Sequence, residues 1–170
     1  MQSRSAQRPT RPEGFTLVEL MVVVAIATIL FAIAVPSYIS YVRQSRRTEA
    51  RTAVLDLAGR EERFFSTNGA AYSDTPGQLG YTALGSSAPI GSGYYYLTVC
   101  VATAPNSTPA CDPNANAPTA PSYYIIATPV AGQSQENDAQ CTSFSVDSAG
   151  QQYASGSGGA AVATPYCWAN

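Results

Sequence analysis

Apolar residues follow two different patterns along this chain, and each predicts a different environment. From Leu20 to Val35 the residues read LMVVVAIATILFAIAV, and only Thr28 is polar. With the preceding residues from Phe15 the stretch makes a helix of roughly 31 Å at 1.5 Å per residue, against about 30 Å of bilayer hydrocarbon. A run that is apolar all round has no face to offer water, so it predicts a single membrane span rather than a buried core helix. A cleaved secretory signal fits less well. The run exceeds the roughly 7 to 15 residues of a typical h-region, and it continues into VPSYISYVRQSRR with no small-x-small cleavage site. Pro36 removes a backbone donor inside the helical pattern, which predicts a kink rather than a stop.

Beyond Ser37 the spacing changes character. Ala50, Val54, Leu57, Ala58 and Phe64 recur at intervals that place them on one helical face suited to packing on a sheet. Six Arg lie off that stripe and read as a solvated face with local pairs. Asn68-Gly69 is a stop signal, so one helix of about 50 residues is predicted, apolar over 15–42 and amphipathic thereafter. Residues 71–93 are rich in Ser, Gly, Pro and Thr and read as a connecting loop. Aromatic and β-branched content then predicts strands over 94–101, 123–128 and 142–146, with a fourth over 151–154. Asp147-Ser148-Ala149-Gly150 is the turn of an antiparallel hairpin. Five prolines between Thr103 and Pro121 make that stretch an irregular excursion.

Composition narrows the chemistry. The nine basic residues are all Arg, and the chain has no His. A His-based triad, a Schiff-base Lys, a P-loop and a His-ligated zinc site are thereby excluded, and no enzyme activity, cofactor or metal site is expected. The placement of charge says more than its sum. Residues 64–170 hold Asp74, Asp112, Glu136, Asp138 and Asp147 and no cation, whereas Arg43 to Arg63 supply six Arg against four acids. A body without cations makes a poor phosphate binder, so direct binding of nucleic acid is not expected. Tyr94, Tyr95, Tyr96, Tyr123 and Tyr124 lie on expected strands and read as packing residues rather than base-stacking platforms. Asn106-Ser107-Thr108 fits a glycosylation sequon, a weak signal at three residues.

Cys100, Cys111, Cys141 and Cys167 contain no CxxC spacing, which favours disulfides in an oxidising compartment. Of the three possible pairings, short loop closure favours Cys100 with Cys111 and Cys141 with Cys167.

Glu19 is the residue that most needs a partner, because a carboxylate entering lipid is costly. No cation lies in the span. Two readings stand level on residue physics: a new amino terminus supplied by proteolysis nearby, or a place at headgroup level where the helix N-terminus favours negative charge.

Gly14-Phe15-Thr16-Leu17-Val18-Glu19, after a short basic leader and at the mouth of an apolar helix, resembles the prepilin motif of type IV pilins and pseudopilins. The combination of Gly14, Phe15, Glu19 five positions after the glycine, a long apolar run and a late Pro36 is specific. The likeness is best over residues 13–72. The chain is most similar to the PilE-type pilins of pilus systems, as a minor subunit, and Cys141 with Cys167 resembles their disulfide-bounded C-terminal region.

The resemblance implies an α+β type IV pilin fold, a long N-terminal helix packed on a three- to four-stranded antiparallel sheet, with a leader (1–14), an assembly helix (15–42) and a head domain (43–170). It implies cleavage by prepilin peptidase between Gly14 and Phe15, N-methylation of Phe15, and a Glu19 that pairs with the amino terminus of an adjacent subunit. The leader departs from many in its length and in having Glu13 before Gly14. The implied partners are the peptidase, other pilin subunits in a homo- or hetero-filament, and the inner membrane before assembly at the cell surface. A pseudopilin of type II secretion, and a pilus-associated adhesin or DNA-uptake subunit marked by a basic or aromatic exposed patch, stay open as alternatives.

Overall fold

A computed structural model describes residues 14–104, 107–112, 118–156 and 164–169. The leader through Glu13, Asn106 of the sequon and the Gly-rich stretch 157–163 lie outside the described residues. Two compact units divide after Ser40, within the first helix.

Helix α1 spans Leu17–Thr67 and is continuous through Pro36. Thr16 caps it: its Oγ1 accepts the backbone N–H of Glu19 at 3.2 Å, satisfying one of the four amides that a helix start leaves open. At the other end the Asn68 amide donates to the Phe64 carbonyl and the Ala70 amide to that of Phe65, closing the helix at the Asn-Gly signal.

The second unit, from Tyr41 onward, adds a five-stranded sheet to the rest of α1. Its strands are β1 (Pro89–Ile90), β2 (Tyr95–Ala102), β3 (Ser122–Pro129), β4 (Ser143–Asp147) and β5 (Gln152–Ser155). They pair antiparallel in chain order, as a meander. The register sets Leu97 opposite Ala127, Val99 opposite Ile125, and Phe144 opposite Ala154. With side chains alternating between faces, these residues line the face that forms the core with Ala50, Val54 and Leu57 of α1.

A fifth strand corrects the expectation of three or four, and two short helical pieces join it. Residues 71–93, read as a connecting loop, contain a 3-10 turn at Pro76–Leu79 and the edge strand β1. A two-residue strand carries too little alternation to register in sequence; its pairing to Tyr95 and Tyr96 is what defines it. A five-residue helix α2 (Thr164–Trp168) follows β5, where Trp168 Nε1 donates to the Tyr153 carbonyl at 2.9 Å.

The hairpin between β4 and β5 turns at the expected residues. Asp147 Oδ1 accepts the amides of Ala149 and Gln151 at 2.9 Å each, and Gly150 closes the turn with φ of 76°. Asp147 Oδ2 accepts the Tyr153 hydroxyl at 2.7 Å.

Candidate assembly site

Gly14, Phe15 and Thr16 precede α1 and are exposed, Phe15 at 85%. Glu19 lies exposed in the first turn, where an acid is favoured by the helix dipole. The capping role of Thr16 toward Glu19 is a feature that sequence reasoning missed. Its signal, Thr-x-x-Glu before an apolar run, was available.

Along the same unit the large apolar side chains stand outward, from Leu17 at 72% through Phe31 at 65% to Val35 at 51%. Thr28, the lone polar residue of the run, donates its hydroxyl to the Ala25 carbonyl at 2.8 Å, so its polar group is satisfied inside the helix. The helix is long and apolar enough to cross a membrane, and none of its most apolar window is buried by the protein. It offers an apolar surface with its backbone hydrogen bonds already made, suited to lipid or to neighbouring helices.

In the second unit, charged side chains of α1 hold the sheet and loops. Arg47 forms a bidentate pair with Asp138, Nε to Oδ2 at 2.6 Å and Nη2 to Oδ1 at 2.7 Å. Asp138 is 1% exposed and also accepts from Gln135 Nε2 and the amides of Gln140 and Cys141. The Asp138 hydrogen bond outweighs desolvation and raises the Arg47 pKa. Arg51 donates to the carbonyls of Cys167 and Trp168. Arg46 lies over the Tyr94 ring at 3.5 Å and bonds Ser134. Glu49 accepts the amide and hydroxyl of Ser92. A Cβ at Gly91 would displace that carboxylate, and the φ of 45° there is one that side-chain-bearing residues rarely adopt, so glycine suits the position.

These contacts correct the reading of the Arg-bearing face as mainly solvated. Arg46, Arg47, Arg51 and Arg60 are each committed within the fold, Arg60 to Asp56 and to the Leu79 carbonyl. Arg63 is exposed.

Glu61 is the other surprise. It occupies the buried face of α1 with Ala50, Val54 and Leu57, is 0% exposed, and among the described residues accepts only the Ser73 amide at 3.1 Å. Burial pushes its carboxyl up to about 7, opposed by that hydrogen bond and assisted by Asp74 and Glu62. The tyrosines are packing elements. Tyr95, Tyr123 and Tyr124 are buried, Tyr94 and Tyr96 partly so, and Tyr124 and Ser145 share a 2.7 Å hydroxyl bond.

The four cysteines form two disulfides. Cys100 joins Cys111 with Cα atoms 5.8 Å apart, and Cys141 joins Cys167 at 5.7 Å. The second ties α2 to the strand-leading segment beside Asp138, so the Arg47 pair, the Arg51 contacts and this bond secure one region.

Residues 36–145, more than half of the chain, match the family described as type IV minor pilin ComP, DNA uptake sequence receptor. The chain belongs to this type IV pilin family. Residues 10–35 of the pilin also match the prokaryotic N-terminal methylation motif. It is 44% identical over 71 residues to the type IV major pilin protein PilA of Myxococcus xanthus, covering 42% of this chain and 32% of that one. It is 41% identical over 83 residues to fimbrial protein Q of Moraxella bovis, covering 45% and 52%. To the type IV major fimbrial protein FimA of Dichelobacter nodosus it is 41% identical over 73 residues, covering 36% and 47%. The matched part of this pilin thus spans about a third to a half of the length of these curated relatives. The family is one of structural subunits, not of enzymes.

Proposed function

We propose that this pilin is a structural subunit of a type IV pilus, held in the inner membrane by the first half of α1 and drawn from there into a filament. The observation that carries the reading is an outward-facing apolar helix that opens on Gly14-Phe15-Thr16-Leu17-Val18-Glu19. Prepilin peptidase cuts between Gly14 and Phe15, and the new amino group on Phe15 is methylated. Glu19 pairs with the amino terminus of an adjacent subunit. Two buried opposite charges neutralise each other at a cost neither could meet alone, which favours one register between subunits. Beyond the apolar half, one exposed stripe of α1 is uncharged at Tyr41, Gln44, Thr48, Thr52, Leu55 and Gly59, with the exposed Asp56 at its edge, which suits continued helix packing.

The test compares surface pili and exoprotein secretion in a strain lacking the chain and in its complemented counterpart. Loss of pili with secretion intact supports the pilus reading. Loss of secretion with pili intact replaces it with a type II secretion pseudopilus. Glu19→Ala in the complementing copy should leave leader cleavage intact and reduce filament incorporation.

The family description supports a second reading, a subunit that receives DNA. Residues 64–170 bring no Arg or Lys to such a role, so phosphate contacts would fall to α1, where Arg46, Arg47, Arg51 and Arg60 are already engaged. A deletion strain that keeps its pili and loses DNA uptake would select this reading over the purely structural one.

A further inference from the structure

The structure points to a function for Glu61: we propose that it is a proton-controlled latch, holding the segment from Tyr72 to Leu79 against α1 while its carboxyl is neutral and releasing that segment when it ionises. The geometry is that of a carboxyl placed where a charge is poorly supported. Glu61 is wholly buried, its Oε2 accepts the Ser73 amide, and its Oε1 has no hydrogen-bond partner among the described residues. A buried carboxylate normally collects a cation or several donors.

The titratable groups whose charges act on Glu61, or on which its charge acts, are acids and phenols. Glu62 comes from its own helix, Tyr72 and Asp74 from the segment it holds, and Tyr123 from β3. The cations nearest in sequence are directed elsewhere, Arg60 to Asp56 and the Leu79 carbonyl, and Arg63 to the surface.

What the latch holds is equally specific. Ser73 hydroxyl donates to Gln78 and accepts the Thr75 amide, which builds the approach to the 3-10 turn around the one residue that Glu61 grips. Tyr72 stacks on Phe65 with centroids 4.6 Å apart and meets Tyr123 edge-on at 4.8 Å. The segment is therefore docked at its start by Glu61 and two aromatic contacts, and at its end by the Arg60 bond to Leu79.

Ionisation changes the balance in one direction. Burial in the closed form pushes the Glu61 carboxyl up to about 7, and opening the segment to water would return it toward its ordinary value of 4.5. The closed form binds the proton more tightly, so closure is favoured fully below the lower value and loses strength as pH climbs to the upper one. Above about 7 both forms are ionised and no further loss follows. The latch is thus tight in acid and loose at neutral pH.

Amide hydrogen exchange on the full-length chain in detergent micelles tests this. Protection of residues 70–80 is measured at about pH 5 and about pH 7.5, corrected for intrinsic exchange and referred to β3 in the same sample. The wild-type ratio should fall at least about tenfold, and that of Glu61→Gln by less than about threefold. A flat wild-type ratio, or a variant that falls as the wild type does, overturns the latch. Should the variant fail to fold, carboxyl carbon NMR of Glu61 in the wild-type chain decides: a midpoint near 7 supports the latch and one below about 5 overturns it. Neither outcome bears on pilus assembly.

Discussion

The two halves of α1 invert the usual relation between composition and burial. The half before Tyr41 is almost wholly apolar and stands exposed, with Ile29 at 64% and Leu30 at 62%. The half after it is rich in Arg, Thr and acids, yet it supplies Ala50, Val54 and Leu57 to the core and reaches over the sheet with Arg46, Arg47, Glu49 and Arg51. In water the first arrangement is unfavourable, since burying apolar area is what drives folding. The apolar half is therefore shaped for a different surrounding, lipid or other helices, while the polar half is shaped by one particular sheet. A single helix carries two kinds of specificity, one generic and one set by individual partners.

The sharpest way to break the comparison is to remove one of those partners. Asp138→Ala leaves Arg47 without its carboxylate and strips acceptors from Gln135 and the amides of Gln140 and Cys141. Loss of one member of a buried ion pair costs about 3–5 kcal/mol. The urea midpoint of the full chain in micelles should fall accordingly. A change under about 1 kcal/mol would mean that the head is held by its apolar core and disulfides alone.

Core truncation comes next. Leu57→Ala empties a fully buried site between α1 and the sheet and should cost about 2–5 kcal/mol by the same measurement. The slope of the transition should stay unchanged, because the surface exposed on unfolding is nearly the same.

How much of this was legible in sequence follows the same division. The first half of α1 is specified by residue type alone, so its apolar character and its prepilin motif are read directly from sequence, as is the helix stop at Asn68-Gly69. The contacts of the second half depend on partners far away. Arg47 and Asp138 are 91 positions apart, and nothing local to either marks the pair. Residue type is a poor guide at Glu61, an acid that continues the spacing of Ala50, Val54 and Leu57 into the buried face. Helical period was the better guide there, because tertiary position decides burial and type only biases it. β1 escaped notice because two residues define a strand only through the pairing they make.

The second ion pair of α1 refines the point that specificity rests on burial. Asp56 and Arg60 are four residues apart with Oδ2 and Nε at 2.8 Å, but their side chains are 50% and 37% exposed. Asp56→Asn keeps an acceptor for the Tyr81 hydroxyl and removes only the charge. The expected loss is about 0.5 kcal/mol or less, shrinking further in high salt. Double-mutant cycles with Arg60→Gln would measure the coupling, and a value above about 2 kcal/mol would place this pair with Arg47–Asp138 rather than apart from it.

The smallest effect on folding should come from the most hydrophobic part of the molecule. Ile29→Ala removes as much apolar side chain as many core truncations, yet Ile29 has no cover within its own unit. The head should unfold at the same urea concentration within about 0.5 kcal/mol, since no cavity forms. Ile29→Asp should leave the head equally stable while opposing membrane insertion by about 2.5–3.5 kcal/mol, readable as a loss of membrane-bound chain. A core Leu and an outward-facing Ile of similar size would then differ in folding by several kcal/mol and in opposite order for insertion. If Ile29→Ala destabilised the head as Leu57→Ala does, the apolar half would be part of the head's own core, and the division of α1 into a generic and a specific half would fail.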